Sequence, residues 1–172
     1  TPVARAVYSR AAANGKRVQC QGGAKNHVVV LPDADLRGAT RNIAESAFGC
    51  AGQRCLAIST AVVVGDAQRS FRDAIVDVAS SIRVGYGLEA DVEMGPVITR
   101  ESKRRIEGLI ARGEQDGARI VLDGRNARVP GYERGNFVKP TVLEGVSPES
   151  ELARTEVFGP VLSLIPAASL DE

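Results

Sequence analysis

The sequence predicts an α/β fold with a mainly parallel sheet flanked by helices. Apolar runs such as HVVVLP (27–32) and AISTAVVVG (57–65) alternate with helical patterns of about 12 to 18 residues. The runs are apolar almost throughout, which is typical of strands covered on both faces. Clusters of Gly and Pro separate the patterns and mark the connections between them.

The first third of the chain predicts one helix and two strands. Residues 1–14 are rich in Ala and Arg, and Asn14-Gly15 provides a stop signal for a helix. KRVQC, residues 16–20, predicts a short strand. After the interruption GGAKN, residues 27–32 predict a fully apolar strand of the buried parallel type.

The central part predicts a helix, a strand and a second helix. Asp33 or Asp35 can cap a helix over residues 35–48, and a buried strand follows at 57–65. Residues 67–82 then form an amphipathic pattern. The apolar residues at helical spacing are Ile43, Ala44, Ala47 and Phe48 in the first helix, and Phe71, Ile75, Val78, Ala79 and Ile82 in the second.

The last part predicts one more helix and three more strand regions. A Gly- and Pro-containing loop ends near Ile98, Thr99 with Ser102 can open a helix over 99–116, and Gly117 ends it. The remaining strand regions, which a turn-rich excursion interrupts, are residues 118–124, 136–146 and 156–166.

Composition narrows the function classes. The 172 residues carry a formal net charge of +1, and only 4% are aromatic. Neither figure favours nucleic acid or an anionic membrane as partner, and no apolar run reaches the roughly 20 residues of a membrane span. The chain begins TPVARAVYSR, without Met or a signal-peptide pattern. We expect it to be cut from a longer chain.

Two of the three cysteines lie close together in FGCAGQRCLA, residues 48–57. Cys55 would sit at the mouth of a strand, and open α/β folds gather their chemistry at strand ends. Arg54 places a fixed positive charge beside this thiol, which favours the nucleophilic thiolate. Alternatively, both cysteines are small buried hydrophobic residues, and packing is the interpretation we favour for Cys50.

The other thiol chemistries are less well supported. A cysteine–histidine pair would have to use His27, the single histidine, which is expected in the buried strand 27–32. An odd number of cysteines in a chain of this length indicates reduced thiols. With one histidine and no CxxC spacing, the sequence predicts no metal site.

Five segments together resemble the aldehyde dehydrogenase superfamily, in order and in spacing. They span essentially the whole chain, and the combination is specific although each piece alone is weak. Within the superfamily, GAKNH joined to GQRCLA most resembles the CoA-acylating branch that oxidises methylmalonate and malonate semialdehyde. The segments are GGAKNHVVVLPDADL (22–36), GQRC before a strand (52–55), MGPVIT (94–99), GNFVKPTVLEGV (135–146) and TEVFGPVL (155–162).

The resemblance implies a role for each of four residues. Cys55 would attack the aldehyde and carry a thioester, and Arg54 would hold the carboxylate of a semialdehyde. Glu156 and Phe158 match positions that hold the nicotinamide riboside of NAD, and coenzyme A would be the second co-substrate. The products would be propionyl-CoA or acetyl-CoA. The alternatives are a surface acid for Glu156, a core ring for Phe158 and a structural ion pair for Arg54.

One position departs from the hydrolytic members of the superfamily. In those members a Glu activates water, and it lies two residues before the glycine that corresponds to Gly23 in the segment Gly23-Ala24-Lys25. The matching position here is Gln21, and an amide cannot accept a proton near neutral pH. Acyl transfer to CoA is therefore the favoured outcome. A hydrolytic dehydrogenase with a relocated base, and a noncatalytic domain with Cys55 as a redox thiol, stay open as alternatives.

The resemblance also divides the chain. Residues 1–21 would be the C-terminal tail of an NAD-binding domain, and residues 22–172 the catalytic domain, incomplete at its C-terminal end. It implies a small-molecule substrate, a homo-oligomeric parent protein, and neither nucleic acid nor membrane as partner. The expected compartment is the cytoplasm, or the mitochondrial matrix in a eukaryote.

Overall fold

The computed structural model describes residues 2–172. Within them it has five helices and five strands, numbered here in chain order, and a single 3-10 turn at Gly49–Gly52. The helices are α1 Pro2–Ala13, α2 Leu36–Phe48, α3 Ala67–Ser81, α4 Arg100–Gln115 and α5 Glu151–Arg154. The strands are β1 Asn26–Val30, β2 Ile58–Val64, β3 Arg119–Leu122, β4 Thr141–Glu144 and β5 Val161–Ala167.

The strands form one sheet in the order β1-β2-β5-β4-β3. The pairs β1–β2, β2–β5 and β5–β4 are parallel, and the edge strand β3 pairs with β4 in the antiparallel sense. The prediction of an α/β fold with a mainly parallel sheet is therefore confirmed. The last strand of the chain lies in the middle of the sheet, beside β2, so the segments that lead into these two strands meet at the same edge.

Helices cover both faces of the sheet. Arg72 of α3 pairs with Glu144 of β4, whereas Gly113 of α4 lies against Leu143, the preceding residue of that strand. Because successive strand residues point to opposite faces, α3 and α4 lie on opposite sides of the sheet. Helix α2 packs beside α3, and the short α5 packs beside α4.

The amphipathic helices form where their apolar spacing predicts them. The face of α2 formed by Ile43, Ala44, Ala47 and Phe48 is buried, as are Phe71, Ile75 and Ala79 of α3. The predicted start of α4 is also confirmed, because Thr99 Oγ1 accepts a hydrogen bond from the Ser102 backbone N–H at 3.0 Å. None of the helices within residues 2–172 combines the length and apolar character that crossing a membrane requires.

Two predictions near the N-terminus are wrong. Residues 16–20 form no strand, and β1 is not buried on both sides: Val30 is 3% exposed but Val29 is 54% exposed. In the structure β1 is the edge strand of the sheet and pairs only with β2, and residues 16–20 do not extend the sheet beyond it. Val29 lies on the face of β1 opposite to Val30, and that face is left open.

Candidate active site

The predicted site residues gather at the amino ends of two neighbouring strands. Cys55 lies three residues before β2, and Phe158 lies three residues before β5. Because β2 and β5 are adjacent and parallel, the segments that precede them meet at the amino ends of these two strands. A cavity of about 730 Å³ opens there, and its lining includes Glu45, Gln53, Arg54, Cys55, Leu56 and Phe158.

Three of the four predicted residues share this cavity, and the fourth does not line it. Arg54, Cys55 and Phe158 contribute to its wall, whereas Glu156 is half-buried two residues before Phe158. The thiol of Cys55 is free and its side chain is exposed, as a nucleophile requires. The ring of Phe158 is 39% exposed, so the alternative of a core ring is wrong.

The loop that carries Cys55 has an unusual backbone. Cys50, Ala51 and Gly52 have φ values of 52°, 53° and 67°, so three successive residues are left-handed and two of them carry a side chain. A Cβ on Gly52 would overlap the carbonyl group of Gly159 and lie 3.0 Å from the Ala47 carbonyl oxygen. Glycine at position 52 thus allows this loop to press directly against the segment that carries Phe158.

Gln53 ties the same loop to the segment before α4. Its Oε1 accepts a hydrogen bond from the Ile98 backbone N–H at 2.9 Å, and its Nε2 donates to the Cys50 carbonyl at 3.1 Å. A longer contact of 3.5 Å joins Nε2 to the Pro96 carbonyl. Sequence reasoning gave Gln53 no role, because its partner at position 98 is 45 residues away in the chain.

Asn26 holds the chain on the other side of the thiol. Its Nδ2 donates to the carbonyl oxygens of Cys55 at 2.7 Å and Ala57 at 2.9 Å. The first residue of β1 therefore fixes the path of the chain into β2. This residue was also missed, since the sequence marks it only as the last residue of the interruption GGAKN, before the predicted strand.

Arg54 binds the end of a helix rather than an acidic side chain. Its Nη2 donates to the carbonyl oxygens of Glu45 at 2.8 Å and Ser46 at 3.1 Å, in the last turn of α2. A cation is favourable there because carbonyl groups at a helix C-terminus lack partners. Within residues 2–172, Nε and Nη1 of Arg54 make no hydrogen bond. The alternative of a structural ion pair is not observed in that part of the chain.

Cys50 and His27 are not placed as expected. Cys50 was predicted to pack in the core, but Phe48 takes the buried position and the left-handed turn leaves Cys50 exposed. His27 is exposed as well, with Nδ1 2.8 Å from the Lys25 carbonyl oxygen. Among the described residues, His, Cys, Asp and Glu side chains form no group of three or more that could hold a metal ion.

A half-buried lysine with an enclosed amine lies near the Glu156 carboxylate. The Nζ of Lys25 is enclosed and has no hydrogen-bond partner within residues 2–172. Burial lowers the pKa of Lys25 from 10.5 to about 8, and the negative charge of Glu156 opposes this shift. The sequence did identify the glycine–lysine segment, but it could not show that the amine is buried.

The segment that carries Glu156 and Phe158 is held from α4. Arg105 donates from Nη2 to the Val157 carbonyl oxygen at 2.6 Å and from Nη1 to the Glu156 carbonyl oxygen at 3.4 Å. Phe158 itself has a φ of 48°, which is unusual for an aromatic residue. Arg105 is a further residue that sequence reasoning missed.

Known proteins resemble this chain along nearly its whole length. The family model described as "Aldehyde dehydrogenase family" matches residues 1–172. The mitochondrial, acylating methylmalonate-semialdehyde dehydrogenase of Arabidopsis thaliana is 51% identical over 166 residues, which are 96% of this chain and 27% of that protein.

Solved structures of similar proteins share the fold of this chain. A protein of Sinorhizobium meliloti 1021 in complex with NAD superposes with a TM-score of 0.92 at 44% identity, covering 99% of this chain and 35% of that one. The methylmalonate-semialdehyde dehydrogenase of Oceanimonas doudoroffii gives a TM-score of 0.91 at 42% identity, with the same coverages of 99% and 35%. The chain thus spans about a third of the length of these relatives.

Proposed function

Because this chain belongs to the aldehyde dehydrogenase family, we propose that it is the thiol-bearing part of an NAD-dependent, CoA-acylating semialdehyde dehydrogenase. The observation that carries the proposal is the cavity shared by Arg54, Cys55 and Phe158. In this proposal residues 22–172 belong to the catalytic domain, and residues 1–21 are the tail of an NAD-binding domain. The names of the acylating relatives support the choice of reaction.

Cys55 is the proposed nucleophile. The Cys55 thiol gives up its proton to solvent, its sulfur adds to the carbonyl carbon of the aldehyde, and the oxygen then carries the negative charge. NAD, when bound, supplies the hydride acceptor for the oxidation step. After the carbon loses its hydride, the C–O double bond re-forms and a thioester remains on Cys55. The CoA thiol attacks this thioester, the bond to Cys55 breaks, and acyl-CoA leaves while the Cys55 thiol is restored.

Phe158 and Glu156 are the proposed contacts to the nicotinamide riboside. The exposed ring of Phe158 offers an apolar face beside the thiol, and an aromatic ring suits the nicotinamide end of the cofactor. The half-buried Glu156 carboxylate is an acceptor that suits ribose hydroxyl groups. The residue types present on this segment therefore fit the cofactor that the neighbour from Sinorhizobium meliloti binds.

Arg54 is the proposed site for the substrate carboxylate. One side of its guanidinium is used at the end of α2, which fixes its direction, while Nε and Nη1 remain as donors. A semialdehyde has a carboxylate besides its aldehyde, and this cation would hold that group next to Cys55. We propose methylmalonate and malonate semialdehyde as substrates. They would give propionyl-CoA and acetyl-CoA: the bond from the α-carbon to the carboxylate breaks, carbon dioxide leaves, and the α-carbon takes up a proton from solvent.

The identity of the residue at position 21 supports CoA as the acyl acceptor. Gln21 is an exposed amide and cannot activate water as a carboxylate can. The second candidate is a hydrolytic dehydrogenase, because Glu45 supplies one carboxylate to the wall of the Cys55 cavity. A redox-sensing thiol domain is the third, since Cys50 and Cys55 are both exposed.

The cellular setting is also a proposal. The Arabidopsis relative is named as a mitochondrial protein. Free thiols suit a reducing compartment, so we propose the cytoplasm, or the mitochondrial matrix in a eukaryote. We further propose a homo-oligomeric parent protein that acts on a small molecule and does not bind nucleic acid or membrane.

The test follows NADH formation by the full-length protein with NAD and methylmalonate or malonate semialdehyde, with and without CoA. Sustained turnover only with CoA is the expected result. Sustained turnover without CoA would support the hydrolytic candidate, and its loss in Glu45→Gln would identify the base. If no NADH forms while Cys55 still reacts with a thiol reagent, the redox-thiol candidate replaces both.

A further inference from the structure

The Phe158 segment contains a conformation that the surrounding structure has to maintain. Phe158 has a φ of 48°, in the left-handed region that residues with a side chain rarely occupy. Such a backbone persists only where neighbouring groups hold it, and these positions concentrate at functional sites. The contacts that hold this segment therefore indicate which residues control the position of the Phe158 ring.

Two contacts from α4 meet the segment. The guanidinium of Arg105 donates to two successive carbonyl groups, those of Glu156 and Val157, and the shorter bond is 2.6 Å. The next residue of α4, Ile106, is fully buried, and a Cβ on Gly159 would come within 2.6 Å of its Cδ1. Helix α4 thus holds the chain immediately before and immediately after Phe158.

The same helix is connected to the loop of the nucleophile. The residue two positions before α4, Ile98, donates to Gln53, which lies two residues before Cys55. From the other side, Gly52 presses against Gly159. Helix α4, together with the residues just before it, is therefore joined to the Cys55 loop and to the Phe158 segment. Among the described residues, Arg105 is the one polar contact from α4 to the carbonyl groups beside Phe158.

From these contacts we propose that Arg105 is a positioning residue for the cofactor: it clamps the carbonyl groups of residues 156 and 157 so that Glu156 and Phe158 face the nicotinamide riboside. The inference rests on the proposed function. Arginine suits this task because its planar fork reaches two acceptors at once, whereas lysine presents a single point charge. Arg105 acts through the backbone and is not itself a catalytic residue.

The test compares Arg105→Met and Arg105→Lys with Arg104→Met in the full-length protein. Arg104 is an exposed neighbour on α4 whose side chain makes no hydrogen bond or ion pair within residues 2–172. We expect Arg105→Met to raise KM for NAD about 10-fold and to slow the first turnover of NADH formation, with KM for the semialdehyde within about 2-fold. Arg105→Lys should recover part of the loss, and Arg104→Met should match the parent protein.

A second measurement follows amide hydrogen exchange over residues 156–161 in the free protein. Arg105→Met should accelerate exchange there relative to Arg104→Met, with an unchanged melting temperature. Equal exchange and equal KM for NAD in the two variants would overturn the clamp. So would a loss of activity that only follows the amount of folded protein. Failure of the parent protein to form NADH would overturn the proposed function and with it the cofactor role, and exchange would still decide the clamp.

Discussion

The two ends of the parallel strands carry comparable cavities but differ in how their backbones and charges are arranged. The cavity of about 730 Å³ at the amino end contains Cys55, and one of about 550 Å³ lies at the carboxyl end. At the carboxyl end, left-handed backbone falls on glycines: Gly65, Gly117 and Gly145. At the amino end it also falls on Cys50, Ala51 and Phe158.

The charged groups at the two ends also differ, in whether hydrogen bonds within the described chain satisfy them. At the carboxyl end, Glu144 accepts from Arg72 at 3.4 Å and from Arg119 at 2.6 Å, so its carboxylate is satisfied by the fold itself. At the amino end, Lys25 has an enclosed Nζ without a hydrogen bond in the described chain. A cavity alone therefore does not distinguish the two ends. Backbone strain and unused polar groups do, because folding alone would not favour either of them.

The largest expected effect separates the two exposed thiols of the amino end. Cys55→Ala should lower NADH formation by at least about 1,000-fold, because it removes the proposed nucleophile. Cys50→Ala, five residues earlier, should leave it within about 3-fold, since its exposed side chain makes no hydrogen bond within residues 2–172. Initial rates of both variants with NAD, semialdehyde and CoA provide the measurement. A loss of similar size in Cys50→Ala would contradict the assignment of Cys55.

The next largest effect is on the free energy of unfolding, and it compares alanine substitutions of one left-handed glycine from each end. Gly52→Ala should lower the free energy of unfolding by about 3 kcal/mol, because it adds left-handed strain and a clash with the Gly159 carbonyl group. Gly145→Ala should cost about 1 kcal/mol, because its φ of 65° is similar but no atom lies within 4 Å of the new Cβ. Denaturant unfolding measures both. Equal losses would mean that Gly52 is needed only for its backbone conformation.

The sequence predicts those features of the fold and of the site that depend on local patterns. The apolar spacing of α2 and α3, the Thr99 cap and the thiol loop before β2 can all be read within about ten residues. The contacts that hold the site cannot be read in this way. Arg105 meets a carbonyl group 52 residues along the chain, and Gln53 meets a backbone N–H 45 residues along it. Such pairs become neighbours only after the sheet has formed.

The same limit explains the wrong predictions. The apolar run of β1 resembles that of a central strand, and only the strand order shows that it lies at an edge, where Val29 is exposed. Cys50 follows a helix whose apolar face ends at Phe48, and the left-handed turn at Cys50–Gly52 redirects the chain. The strand order has no local signal, and the glycines at 49 and 52 do not predict that Cys50 and Ala51 are left-handed as well.

The buried amine of Lys25 predicts a smaller, pH-dependent effect on stability. Its pKa is about 8 in the folded chain and 10.5 in the unfolded one, so between these values the unfolded chain binds more protons and stability rises with pH. Below pH 8 the cost of burying the charge is present in full, with an upper bound of about 3 kcal/mol. Lys25→Met should therefore stabilise the protein at pH 7 by about 1 to 2 kcal/mol.

That gain in stability should shrink as the pH rises toward 10.5, because Lys25 of the folded parent protein is then neutral and no longer buries a charge. Urea unfolding at pH 7 and pH 10 measures both values, and Lys16→Met, at an exposed position, is the matched control. A gain that does not depend on pH would contradict the buried charge. A loss of stability at pH 7 would mean that the attraction of Glu156 outweighs desolvation, which is the opposite of the balance inferred here.

The smallest expected effect tests the carboxyl end. Glu144→Gln removes the charge that Arg72 and Arg119 share, in a position where the side chain is only 24% exposed. We expect the free energy of unfolding to fall by about 1 kcal/mol, because partly buried charged hydrogen bonds weaken but an amide oxygen can still accept. NADH formation and KM for NAD should stay within about 2-fold, because these groups are satisfied by one another. A shift in KM for any substrate beyond that range would show that the carboxyl-end cavity takes part in binding, and the contrast between the two ends would then fail as a marker of the site.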